Sequence, residues 1–126
     1  MCRTIDRIFG VLLLIGACLH VFGALRAYPL GSEGLVWSLS GTLAAGLLAV
    51  LNLVRAGRPA DHTLAWITLV GSLVWVAIAI AFGAAIGNVL DPRVLWHAIA
   101  ALVLAGFSLR TLINQTIARP AASAQH

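Results

Sequence analysis

Apolar residues run almost unbroken along this chain, and the polar positions that interrupt them fall at regular intervals. Uncharged apolar stretches cover residues 8–25, 34–54, 63–86 and 94–109. A helix rises 1.5 Å per residue and the bilayer hydrocarbon is about 30 Å thick, so one crossing needs about 20 residues. Three stretches meet that length, and the fourth meets it when Arg110 is carried at its end. The pattern predicts an all-α, four-helix transmembrane bundle filling residues 1–126 as a single integral membrane domain. The expected spans are residues 5–27, 34–55, 63–87 and 93–114.

The interruptions are helix breakers. Pro29 and Gly31 mark the first connection, Gly57 and Pro59 the second, and Gly87, Asn88 and Pro92 the third. Asp61 and Asp91 stand where N-caps belong, Asp91 just before a proline suited to a first helical turn. Connections this short force neighbouring helices to run antiparallel, up-down-up-down.

Composition agrees: 61% of the residues are hydrophobic and only 10% charged, against about 25% in soluble domains. The formal net charge of +4 comes from arginines alone. They sit at span ends and form no run, which excludes nucleic acid as a partner and makes them a topology signal. Arg3, Arg7, Arg55, Arg58, Arg110 and Arg119 share one side; Arg26 and Arg93 share the other, opposed by Glu33 and Asp91. The positive-inside rule then puts both termini in the cytoplasm. Small size and arginine-only basic usage suggest a bacterial inner membrane.

Cys2 and Cys18 lie about 24 Å apart on one helix, beyond disulfide reach. Cys18 reads as a packing residue. The stretch Leu14-Ile15-Gly16-Ala17-Cys18 resembles a lipoprotein signal, but the apolar run continues to Leu25, so it reads as a span.

Inside a bilayer, small residues that let backbones approach and polar groups that bond between helices mark inward faces. The expected stripes are Gly16, His20, Gly23 and Ala27; Ser38, Thr42, Ala45, Ala49 and Asn52; Thr68, Ser72, Ala79, Gly83 and Gly87; and His97, Ala101, Ala105 and Ser108. Gly83 and Gly87 form a G-x-x-x-G that would suit close approach of a partner helix. Val11, Ile15, Leu19 and Phe22 would then face lipid. Trp37, Trp66 and Trp96 read as interfacial anchors, and Trp75, near mid-membrane, as a packing residue.

One constellation has chemical potential. His20 lies about 9 Å below Arg26 and His97 about 9 Å below Asp91, at a similar depth on antiparallel spans. Ser38 and Thr42 fall in the same layer. Ionisable side chains in a bilayer are costly and often functional. The histidines could ligate a haem b, with Gly16 and Gly23 giving a porphyrin room, or hydrogen-bond a quinone. The competing structural account is that each bonds a neighbouring hydroxyl or carbonyl. A metal ion is not expected, since two nitrogens complete no ligand shell. His62 and His126 read as solvated.

Asp6, Glu33, Asp61 and Asp91 all read as lying at ends or loops, which removes the buried carboxylate expected of a coupled transporter. A small dimeric transporter is therefore a distant third reading. No hydrolase or metalloprotease motif occurs, and no catalytic residue is assigned. Arg7-Ile8-Phe9-Gly10, then Gly16 and Leu19-His20-Val21-Phe22-Gly23, resembles the first span of DoxX-like small four-span membrane proteins. The resemblance covers residues 7–23 and implies no function. The leading expectation is a non-enzymatic membrane subunit or accessory protein, acting by helix contacts in a homo-oligomer or larger membrane complex. The alternative is a haem- or quinone-binding electron-transfer protein using His20 and His97.

Overall fold

The computed structural model describes residues 2–123, with side chains described over residues 3–114. Arg119 and His126 fall outside the described side chains, as does Cys2. The described residues form four helices and no strand: α1 (Cys2–Ala27), α2 (Glu33–Gly57), α3 (His62–Ala85) and α4 (Pro92–Ser123). Each contains a segment long and apolar enough to cross a membrane: Arg3–Ala27, Glu33–Gly57, His62–Ala85 and Pro92–Asn114. The molecule is a helix bundle of the integral membrane type.

Helix ends are set by local chemistry. The Ser32 hydroxyl accepts from Leu35 N and the Asp61 carboxylate from Leu64 N, satisfying donors that a first turn leaves free. At the end of α3, Gly87 takes φ +71°. Its N–H donates to the Ala84 carbonyl and that of Asn88 to the Gly83 carbonyl, a Schellman closure. Gly87 is thus the turn residue beyond α3, and not its last inward position. The capping carboxylate of Asp91 binds both the backbone N–H and the guanidinium of Arg93, at 2.8–2.9 Å. Those bonds hold its pKa down at about 2, so the cap is charged at any pH a membrane protein meets.

α1 with α2 and α3 with α4 are the closest pairs, and the pairs meet along α1–α4 and α2–α3. Leu13, Leu48, Ala49, Ala100 and Leu104 form the central core, and Ala65, Leu69, Ala105 and Leu112 a second core between α3 and α4. Val11, Ile15, Leu19 and Phe22 are exposed on the lipid side. The inward stripes of α2 and α4 follow the small and polar positions read from sequence. On α1 they do not: Gly16 is buried, but Gly23 and Ala27 are exposed, and Leu13, Ala17 and Ala24 face inward instead. A Cβ on Gly23 would meet nothing within 4 Å, so Gly23 packs against no other helix.

The two pairs are staggered. Asn52 bonds Ser72, which sets those residues level. Beyond them α2 extends 19 residues to Glu33 but α3 only 13 to Ala85, an offset of about 9 Å by helix rise. At the opposite end Thr68 bonds Ser108, and α4 continues 15 residues to Ser123. There α4 stands as a wall beside the blunt end of α1 and α2.

Candidate functional site

Two polar layers cross the bundle. In the first, one side chain from each helix converges: His20 on α1, Thr42 on α2, Trp75 on α3 and His97 on α4. The imidazole rings of His20 and His97 lie edge to face with centroids 6.5 Å apart, so the two histidines expected to share a depth do meet. His20 Nδ1 lies 2.8 Å from the Thr42 hydroxyl. That hydroxyl donates its single proton to the Ser38 carbonyl at 3.1 Å. It therefore accepts from His20, which places the proton of neutral His20 on Nδ1 and leaves a lone pair on Nε2. Ser38 enters this layer through its backbone carbonyl.

His97 is arranged the opposite way. The Trp75 indole N–H donates to His97 Nδ1 at 3.3 Å, with ring centroids 5.8 Å apart. Neutral His97 then carries its proton on Nε2, and the ring also interacts with the backbone of Gly16. Gly16 is what admits it: a Cβ there would lie 3.1 Å from His97 Cε1 and 2.9 Å from the Trp96 ring. The Trp96 indole uses that approach to donate to the Leu12 carbonyl at 3.0 Å, pinning α4 to α1. Chemically, the layer offers one ligand nitrogen, His20 Nε2, and one saturated imidazole. Axial ligation of a single haem iron by both histidines needs a lone pair on both Nε2 atoms. That would require Trp75 to give up its bond.

The second layer was not legible as a layer. Asp6, read from sequence as lying at the end of the first span, lies inside α1 and is buried, 6% exposed. Arg55, read as a loop arginine of the charge count, lies inside α2 and is 2% exposed. The two form an ion pair at 2.5 Å. From Arg55 the chain of bonds continues to the Asn52 carbonyl oxygen, and from the Asn52 amide to Ser72, joining α1, α2 and α3. Thr68 and Ser108 add the α3–α4 link at 2.9 Å. The statement that no carboxylate lies within a span is therefore corrected: α1 starts earlier than the apolar pattern does, because Arg3 to Arg7 are helical too. The signal available in sequence was Asn52 and Arg55 at i, i+3 on one helix face, needing a partner from another helix.

Among the described residues, every buried side-chain nitrogen or oxygen has a hydrogen-bond partner, and no group of three or more potential metal ligands occurs. Gly83 is buried within its own chain, where a Cβ would lie 2.9 Å from the Val89 backbone and 3.2 Å from Val94. With Gly87 in the turn, the G-x-x-x-G lies at the α3–α4 connection, where Gly83 is used for packing within this chain.

No family model, curated protein or solved structure matches this chain.

Proposed function

We propose that the protein is a non-enzymatic membrane subunit or accessory protein that works through the outer faces of its helices, spanning a bacterial inner membrane up-down-up-down with both termini in the cytoplasm. The observation that supports this most is that, among the described residues, no buried side-chain nitrogen or oxygen lacks a hydrogen-bond partner, and the Asp6–Arg55, Asn52–Ser72 and Thr68–Ser108 bonds tie helix to helix. Arg55 drops out of the charge count because Asp6 neutralises it. Counted without it, Arg3, Arg7, Arg58, Arg110 and Arg119 still outnumber Arg26 and Arg93, which supports a cytoplasmic placement of both termini.

The partner surface in this reading is α2. Trp37, Ser40, Ala44, Leu47 and Leu51 lie on its exposed side at helical spacing, and Ser40-x-x-x-Ala44 lets a second helix approach closely. The occupant is a second copy of the chain or another membrane subunit. Native mass determination in mild detergent tests this: a stable oligomer or hetero-complex is expected, disrupted by Ala44→Leu and left intact by His20→Ala. A monomer at all concentrations, with no associated subunit, would contradict it.

A second reading has one specific observation behind it, the lone pair of His20 Nε2, which is without a partner among the described residues. It would accept from the hydroxyl of a quinol-class amphiphile. A His20-dependent quenching of Trp75 fluorescence by a quinone analogue would favour that reading over the first.

A further inference from the structure

The stagger of the two helix pairs leaves a step at the end of the bundle that carries residue 3, the 58–61 turn and residue 114. The step is a cavity of about 310 Å³. Its floor is the blunt end of α1 and α2, contributing Arg3, Asp6 and Arg55, and its wall is α4 from Phe107 to Asn114.

The charges in this space do not cancel. Asp6 is consumed by Arg55. Arg3 commits only its Nε, to the Ala56 carbonyl at 3.0 Å, which leaves its two terminal nitrogens unbonded among the described residues. Arg110 is exposed and has no hydrogen bond or ion pair among them. Two guanidinium groups therefore border one cavity whose only described carboxylate, Asp6, is already paired with Arg55. The Asn114 amide adds a neutral donor at the rim, while Phe107 lines the cavity beside the apolar core. A planar fork of N–H donors matches the oxygens of a phosphate group. The step also stands at a span end, the depth at which lipid phosphates lie.

We propose that this step binds a phosphate-bearing anion, through Arg3 and Arg110, with Asn114 at its rim. A phospholipid head group and a free phosphate present the same chemistry, and the apolar wall at Phe107 is what a lipid would additionally use. The site is independent of the α2 partner surface and of the histidine layer.

The test offers the purified protein phosphatidylglycerol and phosphatidylcholine in mixed micelles and counts retained lipid by native mass spectrometry. In parallel, inorganic phosphate is titrated into lipid-free protein, followed by arginine side-chain N–H signals. The wild type is expected to retain phosphatidylglycerol preferentially. Arg3→Gln with Arg110→Gln should lower that preference about 25-fold, about fivefold for each charge near the surface. Arg7→Gln removes the same charge from the same end but outside the cavity, and should leave the preference within about twofold. Asn114→Asp, at an exposed position, should weaken binding as a single arginine loss does. Phosphate binding that depends on Arg3 and Arg110, without lipid preference, would keep the site and assign it to free phosphate. Absence of both, or an Arg7→Gln loss as large as that of the pair, would overturn the proposal.

Discussion

Removing one member of the Asp6–Arg55 pair should be among the most damaging single changes in this protein. Their side chains are 7% and 1% exposed, and they meet at 2.5 Å between α1 and α2. Asp6→Leu leaves a buried guanidinium whose one remaining side-chain acceptor among the described residues is Asn52 Oδ1 at 3.4 Å. Arg55→Met leaves a buried carboxylate and also frees Asn52. Breaking a buried pair by deleting one partner costs about 3–5 kcal/mol, because the other charge stays desolvated. That is a large share of a typical total stability of about 5–15 kcal/mol. Replacing both partners by apolar residues removes the uncompensated charge, so the double variant Asp6→Leu/Arg55→Met should recover most of the loss. Reversible unfolding in mixed micelles of mild detergent and SDS, followed by circular dichroism, gives the four stabilities of the cycle. The expected coupling is about 3 kcal/mol. An exposed pair would instead show single losses of about 0.2–1 kcal/mol that add, and that result would refute the buried network.

Gly16→Ala places a methyl 2.9 Å from the Trp96 ring and should cost about 1–3 kcal/mol in the same assay by breaking the Trp96–Leu12 bond. Gly23→Ala, with nothing within 4 Å, should be neutral or slightly stabilising. Gly87→Ala forces an L side chain into φ +71° and should cost about 1–2 kcal/mol. The Asp91 carboxyl should titrate near 2 by carbon NMR and return toward its ordinary 3.8 in Arg93→Gln. Because its pKa is depressed on folding, the stability it contributes is full above pH 3.8 and fades only as pH falls through about 2.

The four spans were legible because about 20 apolar residues between breakers admit few other structures in water or lipid. The meeting of His20 and His97 was legible too, since depth follows from helix rise once the helices alternate in direction. Rotation about each helix axis was not. Gly23 and Gly16 are seven residues apart and close to the same face of an ideal helix, yet only Gly16 meets α4, because α1 outruns α4 at that end through the stagger. The stagger itself is set by contacts between the pairs, such as Asn52 with Ser72, which no single-helix pattern encodes. Asp6 was misplaced for a related reason: hydropathy marks where lipid begins, whereas the helix starts earlier and buries polar residues against a neighbour. Trp75 likewise reads as a core aromatic until His97 is seen to accept its indole N–H.

The claim that this bundle acts through an outer helix face is tested most directly by photo-crosslinking in cells, one exposed position at a time. Benzoylphenylalanine would replace Leu43 or Leu47 on α2, Val70 or Ile78 on α3, and Leu102 on α4, all exposed apolar positions. A discrete crosslinked species from the α2 positions alone, lost with Ala44→Leu, is the predicted result. Crosslinks to lipid only, or equally from every face, would contradict the account.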